Sequence, residues 1–286
     1  MIKASNLNYK YKLASGEEIN ALSGINLNIN MGEFIAIIGH NGSGKSTLVK
    51  HFNALLLPSE GEVFIEGINT KDKDRIWDLR RNVGMIFQNP DNQIVGTIVE
   101  EDVAFGPENL QVPSDQILKR VDESLRLVGM EKYRKSPPHL LSGGQKQKVA
   151  IASVLAMHSN YIILDEATTM LDPKGRREVM YKIRQLNREE GLTIILVTHF
   201  MEEASSADRV IVMNKGTLFM DGTPQEVFSN EEKLKEVSLD LPTGAKLACS
   251  LRKKGINLSE NVLTIDDFAD EYKKLLMLRK AQKVGR

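Results

Sequence analysis

The sequence contains very little cysteine, no long apolar run and no excess of either charge. Cys249 is the single cysteine among 286 residues, so an intramolecular disulfide and a cysteine-based metal cluster are excluded, as suits a reducing cytosol. The 38 Lys and Arg residues balance 38 Asp and Glu residues. This balance gives no global reason to expect binding to nucleic acid or to an anionic membrane, although local basic patches are compatible with it.

The apolar runs are too short to cross a membrane. "FIAIIG", "YIILD", "TIILVTH" and "RVIVM" are each far shorter than the roughly 20 residues that a transmembrane helix needs. Residues 1–12 also lack the apolar segment of a signal peptide. We therefore expect a soluble chain that is not exported and that reaches a membrane only through a partner. Its length suits one large domain with an appendage, or two domains.

The same four runs predict an α/β fold. They are rich in Ile and Val and apolar on both alternating faces, which is typical of parallel strands covered by helices. Gly39, Asp165 and His199 lie at or just after the ends of the first three runs. Ligands of such sheets bind outside the carboxyl ends of the strands, so we expect these residues to meet in one crevice. Residues from about 90 to 158 are predicted to form a helical subdomain inserted into this core.

Residues 39–47, "GHNGSGKST", match the phosphate-loop pattern G-x-x-x-x-G-K-[ST] without a gap. Its three glycines would let successive backbone N–H groups curl around the β- and γ-phosphates of a nucleotide. Lys45 would place a positive charge on these phosphates, and Ser46 would offer its hydroxyl to Mg²⁺. The loop lies between the predicted strand "FIAII" and the helical pattern "STLVKHFNALL". The predicted ATP-binding residues of this loop are Gly39, His40, Asn41, Gly42, Ser43, Gly44, Lys45, Ser46 and Thr47.

Three further segments carry side chains that complete a site for nucleotide hydrolysis. Asp165 ends a predicted strand, where it would hold Mg²⁺ directly or through water, and Glu166 follows it as the candidate general base. Gln88 is placed to reach the metal or the attacking water, and His199 to donate to the γ-phosphate. Each residue alone also has a structural explanation, and only the phosphate loop favours the catalytic one. The predicted catalytic residues are Glu166, His199 and Gln88, and the predicted Mg²⁺ ligands are Ser46, Gln88 and Asp165.

A second anion site is predicted in residues 141–154, "LLSGGQKQKVAIAS". A serine and two glycines open an apolar-periodic run, as at a helix N-terminus whose free backbone N–H groups point at an anion. The residues alone do not explain why one chain would carry two such sites.

Taken together, these motifs resemble the nucleotide-binding subunit of an ATP-binding-cassette (ABC) transporter. The phosphate loop, Gln88, "LSGGQ", "IILDE", the "LDP" loop at 171–173 and His199 appear in the order of that family, and the resemblance spans residues 1 to about 228. It implies a RecA-like P-loop NTPase core and two subunits that face each other head to tail. Each "LSGGQ" segment then caps the ATP of the other subunit, which accounts for the second site. The residues that would act across the interface are Ser142, Gly143, Gly144, Gln145 and Asp172.

The resemblance also implies an aromatic residue that stacks on adenine. Tyr11, in "LNYKY", is the predicted one, because an aromatic ring contacts any base without reading its edge. Tyr9 lies on the same face of the predicted strand and is its rival. A tyrosine that merely packs in the core is the third interpretation.

Finer features resemble the ATPases of energy-coupling-factor transporters, which drive the uptake of micronutrients such as vitamins or transition-metal ions. These features are "FQNPDNQ", "EEDVAFGPEN", "DLPTGAKLACSLRKKG" and "DEATTMLDP", and the last resembles the first of two paralogous ATPases. The common cassette pattern has proline at Ala167, but Asp165 and Glu166 are intact. The resemblance implies ATP and Mg²⁺, a second ATPase subunit as paralogous partner or identical copy, an integral membrane transport subunit and a substrate-binding membrane subunit. It places the chain at the cytoplasmic face of the cell membrane and leaves the solute open.

Other functions with the same motifs stay open at this point. A conventional ABC importer ATPase is the nearest alternative. A DNA-repair or chromosome ATPase would carry a long coiled coil between the phosphate loop and "LSGGQ", and the sequence has no insertion of that kind. A translation-factor ATPase usually carries two cassettes in one chain, whereas this chain has one.

Two surfaces are predicted beyond the nucleotide site. Residues 229–286 are predicted to form a small C-terminal helical unit, whose apolar face would pack on the main domain or contact a second subunit. Residues 89–101 contain four apolar residues with no evident role in the core. We expect this segment to dock a cytoplasmic helix of a membrane subunit, the alternative being that they pack the helical subdomain. These four residues are Ile94, Val95, Ile98 and Val99.

Overall fold

Two β-sheets organise the protein in the computed structural model, which describes residues 1–284. One sheet is antiparallel, with strand order β2-β1-β4-β5, and the other has six strands in the order β10-β9-β3-β8-β7-β6. Five neighbouring strands of the second sheet are parallel, and only β10 is antiparallel to its neighbour. The predicted α/β class with a parallel sheet is confirmed. The strands are β1 (Ile2–Lys12), β2 (Glu18–Ile29), β3 (Phe34–Ile38), β4 (Glu60–Ile65), β5 (Ile68–Asn69), β6 (Val83–Ile86), β7 (Tyr161–Asp165), β8 (Thr193–Val197), β9 (Arg209–Asn214) and β10 (Thr217–Gly222).

The parallel strands are buried on both faces because alternate residues enter different cores. In β3, Phe34, Ala36 and Ile38 lie in a core shared with helices, whereas Ile35 and Ile37 lie in a core shared with the antiparallel sheet. Strands β7, β8 and β9 divide their residues between the same two cores. This division explains why the apolar runs show no alternation of polar and apolar residues.

The antiparallel sheet does not follow from the sequence pattern. The pairing of β1 with β2 shifts register between Ala4 and Leu7, again before Tyr9 and again after it. Such irregularities interrupt the two-residue period by which a half-buried strand is identified. The sheet nevertheless buries one apolar face against the parallel sheet.

The described residues form eleven α-helices. Three of them, α3, α4 and α5, lie between β6 and β7 and pack mainly on one another, in the stretch where the sequence predicts a helical subdomain. The division into domains at residues 90, 158 and 228 stays a prediction. The helices are α1 (Lys45–His51), α2 (Ile76–Asn82), α3 (Val99–Asn109), α4 (Ser114–Val128), α5 (Gly143–Ala156), α6 (Pro173–Glu190), α7 (Met201–Ala204), α8 (Pro224–Phe228), α9 (Glu231–Glu236), α10 (Thr243–Arg252) and α11 (Ile265–Val284).

Two local expectations from the sequence are wrong. Helix α1 ends at His51 rather than continuing through the apolar residues that follow, because Ala54 takes a left-handed φ of 54°. Val99, expected on the docking surface, is fully buried at the start of α3 in the core shared with the helices.

The C-terminal segment packs on the main domain. Leu241 and Ala245 belong to the core that contains β3, and a small cluster around Ala248, Leu258 and Val262 joins α10 to α11. On α11 the predicted apolar face is divided, since Phe268 and Leu275 pack inward while Ile265 and Leu276 are exposed. The last two residues of the predicted unit, 285–286, lie outside the described residues. Among those described, no helix combines the length and the apolar character that crossing a membrane requires.

Candidate active site

The ends of β3, β7 and β8 border an open cleft of about 650 Å³. A somewhat larger cleft, of about 690 Å³, lies between α4 and α6, and among the described residues none of the predicted site residues lines it. The smaller one is therefore the candidate active site. It is lined by Asn41, Gly42, Gly44, Lys45, Ser46, Thr47, Gln88, Glu166 and His199.

Glycine is required by the backbone of the phosphate loop. Gly39, Gly42 and Gly44 have φ angles of 155°, 80° and 102°, values that L side chains rarely adopt. A Cβ at Gly39 would also lie 2.5 Å from the carbonyl oxygen of Met213. The three glycines thus give the loop the tight curvature that the sequence predicts for a phosphate cradle.

Lys45 is held inside this loop. Its Nζ donates to the carbonyl oxygens of Gly39 at 2.8 Å and His40 at 3.1 Å. Burial lowers the pKa of Lys45, whereas the negative charges of Glu166 and Asp165 act in the opposite direction. A triphosphate would add negative charge beside the ammonium group and so favour its charged form.

Ser46 and Asp165 fit a Mg²⁺ site. Ser46 Oγ donates to Asp165 Oδ1 at 2.7 Å, which brings a hydroxyl and a carboxylate oxygen side by side at the mouth of the loop. Hard oxygen atoms are the ligands that Mg²⁺ prefers, and two neighbouring ligands of an octahedral ion lie about 3 Å apart. Burial raises the pKa of Asp165, and the hydrogen bond from Ser46 opposes this. A divalent cation would keep the carboxylate ionised.

Glu166 lies where two other predicted catalytic side chains meet. Its Oε2 accepts a hydrogen bond from Gln88 Nε2 at 2.8 Å and lies 3.7 Å from Nδ1 of His199. The residue has a left-handed φ of 52°, and its backbone N–H donates to the carbonyl oxygen of Val197 on the neighbouring strand at 3.0 Å. This conformation is uncommon outside glycine and turns the carboxylate toward the cleft.

The structure places the two candidate tyrosines in different surroundings. Tyr11 is 37% exposed, and its hydroxyl lies 3.2 Å from Thr47 Oγ1 beside the phosphate loop. Tyr9 is packed against the core and the ring of His51, 4.8 Å away, and burial raises its pKa. The two tyrosine rings meet edge to face at 4.9 Å. Tyr11 is therefore the more exposed of the two tyrosines and the one that lies beside the phosphate loop.

The "LSGGQ" residues stand apart from this cleft. Ser142 caps α5 in a reciprocal arrangement, because its hydroxyl accepts from Gln145 N and the side chain of Gln145 accepts from Ser142 N. Asp172 caps α6 by accepting from Gly175 N at 3.2 Å. Within the described part of the chain, neither 142–145 nor Asp172 contributes to the lining of the cleft.

Segment 89–101 borders a groove of about 440 Å³ on a different part of the surface. Asp102 Oδ1 accepts from the N–H groups of Val95 and Gly96, and its Oδ2 accepts from Ser153 on α5. The loop is thereby tied to the helix that begins with the "LSGGQ" residues. The groove is lined by Asp91, Ile94, Val95, Gly96, Thr97, Pro138, His139 and Lys146.

One buried group near the site was not predicted. Glu203, on α7, accepts hydrogen bonds from Thr168 and Thr198, which lie on loops leading from β7 and β8. The only sequence signal is a glutamate between Met201 and Ala204 in a short helical stretch, which is too weak to distinguish it from the exposed Glu202.

Comparison with known proteins gives consistent matches. A family model described as ABC transporter matches residues 22–169. The chain is 56% identical over 270 residues to the energy-coupling factor transporter ATP-binding protein EcfA1 of Clostridium novyi (strain NT), covering 94% of the chain and 96% of the relative. It is 55% identical to the EcfA1 of Caldanaerobacter subterraneus subsp. tengcongensis, covering 94% of the chain and 98% of the relative.

Solved structures match in the same way. The structure of cbiO1 from Clostridium perfringens, part of the ABC transporter complex cbiONQ, has a TM-score of 0.71 and 42% identity and covers 82% of this chain and 93% of that one. The dimeric ATP-binding cassette MJ0796, bound to ADP and Pi in a post-hydrolysis state, has a TM-score of 0.73 and 35% identity. It covers 78% of this chain and 99% of the other.

Proposed function

The chain belongs to the ABC transporter family, and from this premise we propose that it is the ATP-binding and ATP-hydrolysing subunit of an energy-coupling-factor importer for micronutrients. The cleft that joins the phosphate loop to Glu166 carries this proposal, because it combines a phosphate cradle with a carboxylate at hydrogen-bonding distance from Gln88. Similarity to proteins named EcfA1 over 94% of the chain favours this importer type over a conventional importer, a ribosomal ATPase or a DNA ATPase.

Hydrolysis needs a positioned water more than it needs covalent chemistry, because the transition state of phosphoryl transfer is loose. Glu166 would take the proton of the attacking water. Gln88 and His199 contact the same carboxylate oxygen and hold its orientation, and His199 would also donate to the γ-phosphate. Lys45 and the N–H groups of the phosphate loop would bind the charge that develops on the phosphate oxygens.

ATP would lie in the cleft with its adenine against Tyr11, and Mg²⁺ would be held by Ser46 and Asp165, with Gln88 nearby. When bound, the ion would neutralise charge on the phosphate oxygens. ADP and Pi are bound by the related cassette MJ0796, which supports ATP as the substrate of this chain.

Glu166→Gln tests the proposed role of the base. The amide keeps the shape of the side chain but cannot take a proton, so phosphate release by the assembled complex should fall by about 10²–10⁴-fold. ATP binding, measured by equilibrium titration, should be retained. Glu178→Gln, on the exposed face of α6, makes the same charge change and should leave the rate unchanged. Wild-type turnover by Glu166→Gln would refute the assignment.

The proposed partners are a second ATPase subunit and membrane subunits. The groove beside segment 89–101 is lined by the loop after Gln88 and by the first turn of α5, and Val95 in its lining is 62% exposed. These features support docking of a cytoplasmic helix. Ile94 is half-buried and packs against the core, so Val95 rather than Ile94 is the residue that a partner would contact. Through these partners the chain would act at the cytoplasmic face of the cell membrane.

A further inference from the structure

Glu203 is a buried carboxylate that the proposed reaction does not use directly. It lies on α7, four residues after His199, and only 6% of it is exposed. Thr168 Oγ1 donates to its Oε1 at 2.7 Å, and Thr198 Oγ1 donates to its Oε2 at 2.5 Å. One carboxylate therefore joins the loop that follows Glu166 to the loop that carries His199.

The hydroxyl of Thr198 extends this connection to the backbone around His199. The N–H of Phe200 donates to Thr198 Oγ1 at 3.0 Å, so this oxygen is an acceptor and its own proton goes to Glu203. Burial raises the pKa of Glu203, while the hydrogen bonds from the two threonines and the charge of Arg176 oppose the rise. The residues on both sides of His199 are thus held through one hydroxyl.

Arg176 connects the same group to helix α6. Its Nε lies 3.9 Å from Glu203 Oε1 and has no hydrogen-bond partner among the described residues. Its Nη2 donates to the carbonyl oxygen of Leu171 at 3.4 Å. The guanidinium carbon lies 3.4 Å from the ring centroid of Phe200, a cation–π geometry, and that ring lies 4.2 Å from the ring of His199. Arg176 thus contacts Leu171, in the loop before Asp172, and Phe200, which follows His199. It therefore links these two loops beside Glu203.

We propose that Glu203 is a positioning residue for ATP hydrolysis, which holds Thr168 and Thr198 together and thereby fixes the placement of His199 relative to Glu166. The inference rests on the proposed function, because it concerns the rate at which this chain would hydrolyse ATP. It assigns no chemical step to Glu203 itself. The distance that Glu203 would maintain is the 3.7 Å between His199 Nδ1 and Glu166 Oε2. A displacement of about 1 Å at a reacting group costs about 100-fold in rate.

Glu203→Met tests the proposal because methionine keeps the length of the side chain and removes both acceptor oxygens. In the assembled complex we expect kcat for phosphate release to fall by about 10- to 100-fold, while ATP binding is retained. Glu203→Gln should recover most of the activity, since its amide oxygen can accept from Thr198 and its NH₂ group can donate to Thr168. Glu202→Met changes the neighbouring exposed residue and serves as the matched control.

A double-mutant cycle with His199→Ala separates positioning from a general loss of packing. If Glu203 acts through His199, adding Glu203→Met to His199→Ala should lower the residual rate by no more than about threefold. Full, multiplicative losses in the two backgrounds would overturn the proposal, as would wild-type kcat in Glu203→Met alone.

Thr198→Val gives a second route if Glu203→Met does not fold. It removes one arm of the network with little change in shape and should show the same dependence on His199. An active wild-type complex with undiminished rates in these variants overturns this inference alone. A wild-type complex without ATPase activity, or full activity in Glu166→Gln, overturns the proposed function as well.

Discussion

Single residues in unusual backbone conformations shape the candidate site. Gly39, Gly42 and Gly44 supply the positive φ angles of the phosphate loop, and glycine adopts such angles without a steric penalty. Glu166 adopts φ 52° although it has a side chain. The surrounding structure stabilises this conformation by the hydrogen bond from its N–H to Val197 on β8 and by the contact of Gln88 with its carboxylate. Strain of this kind is common at functional sites.

Gly44→Ala should destabilise the protein more than Gly42→Ala does. Both glycines have positive φ, and for Gly42 that conformation alone would cost about 1–2 kcal/mol, since no atom of the described residues lies within 4 Å of its added Cβ. A Cβ at Gly44 would lie 2.8 Å from the carbonyl oxygen of Ala21 and 3.0 Å from Leu22 Cδ2. Urea unfolding without nucleotide measures both free energies. Equal losses in the two variants would contradict the loop geometry described above.

Secondary-structure elements with a strong hydrophobic pattern could be predicted from the sequence, whereas those with an interrupted pattern could not. Strands β3, β7 and β8 are evident from the sequence because both of their faces are buried. Strands β1 and β2 are not, because their register shifts break the alternation. Val99 looked available to a partner but is in the core, since the four apolar residues of segment 89–101 do not reveal which of them begins a helix. The motif residues were identified from their pattern, whereas Glu203 depends on tertiary contacts with Thr168 and Thr198 that no local pattern encodes.

Val95→Asp tests the loop between β6 and α3 as a docking surface. An unpaired carboxylate buried against a partner helix should weaken co-purification with the membrane subunits by at least about 10-fold, while ATP binding is unchanged. Val95 is 62% exposed, so the isolated chain should tolerate the change. Leu118→Asp, at a position on α4 that is 59% exposed and outside the groove, is the matched control. Normal co-purification of folded Val95→Asp would exclude this surface.

The whole molecule presents the two predicted halves of a nucleotide site at separate places. The cleft holds the phosphate loop, whereas Ser142 and its neighbours begin α5 outside the lining of that cleft. The capping hydrogen bonds at the N-terminus of α5 join Ser142 and Gln145 within the chain itself. The related cassette MJ0796 is a dimer. Completion of one chain's site by a second chain stays a prediction.

Complementation between two defective chains tests that arrangement. Lys45→Ala and Ser142→Arg are changes in opposite halves of one composite site, so each variant alone should fail to form an ATP-bound dimer. In a mixed dimer, one site combines the intact Lys45 of one chain with the intact Ser142 of the other, and the second site carries both changes. Mixing should therefore restore part of the dimer. If residues 142–145 completed the site of their own chain, every chain in the mixture would still be defective.

The experiment is best made with Glu166→Gln present in both chains, because unhydrolysed ATP lets the dimer accumulate for analytical ultracentrifugation. Where assembly requires a paralogous ATPase, the change at the signature serine is placed on that partner and Lys45→Ala on this chain. Each variant is first shown to be folded by its unfolding transition, so that loss of assembly reflects the site rather than misfolding. The expected result is an ATP-dependent dimer in the mixture and none in either variant alone. Absence of a dimer from both kinds of mixture would mean that the two halves do not meet between chains, and the second anion site would then need a different explanation.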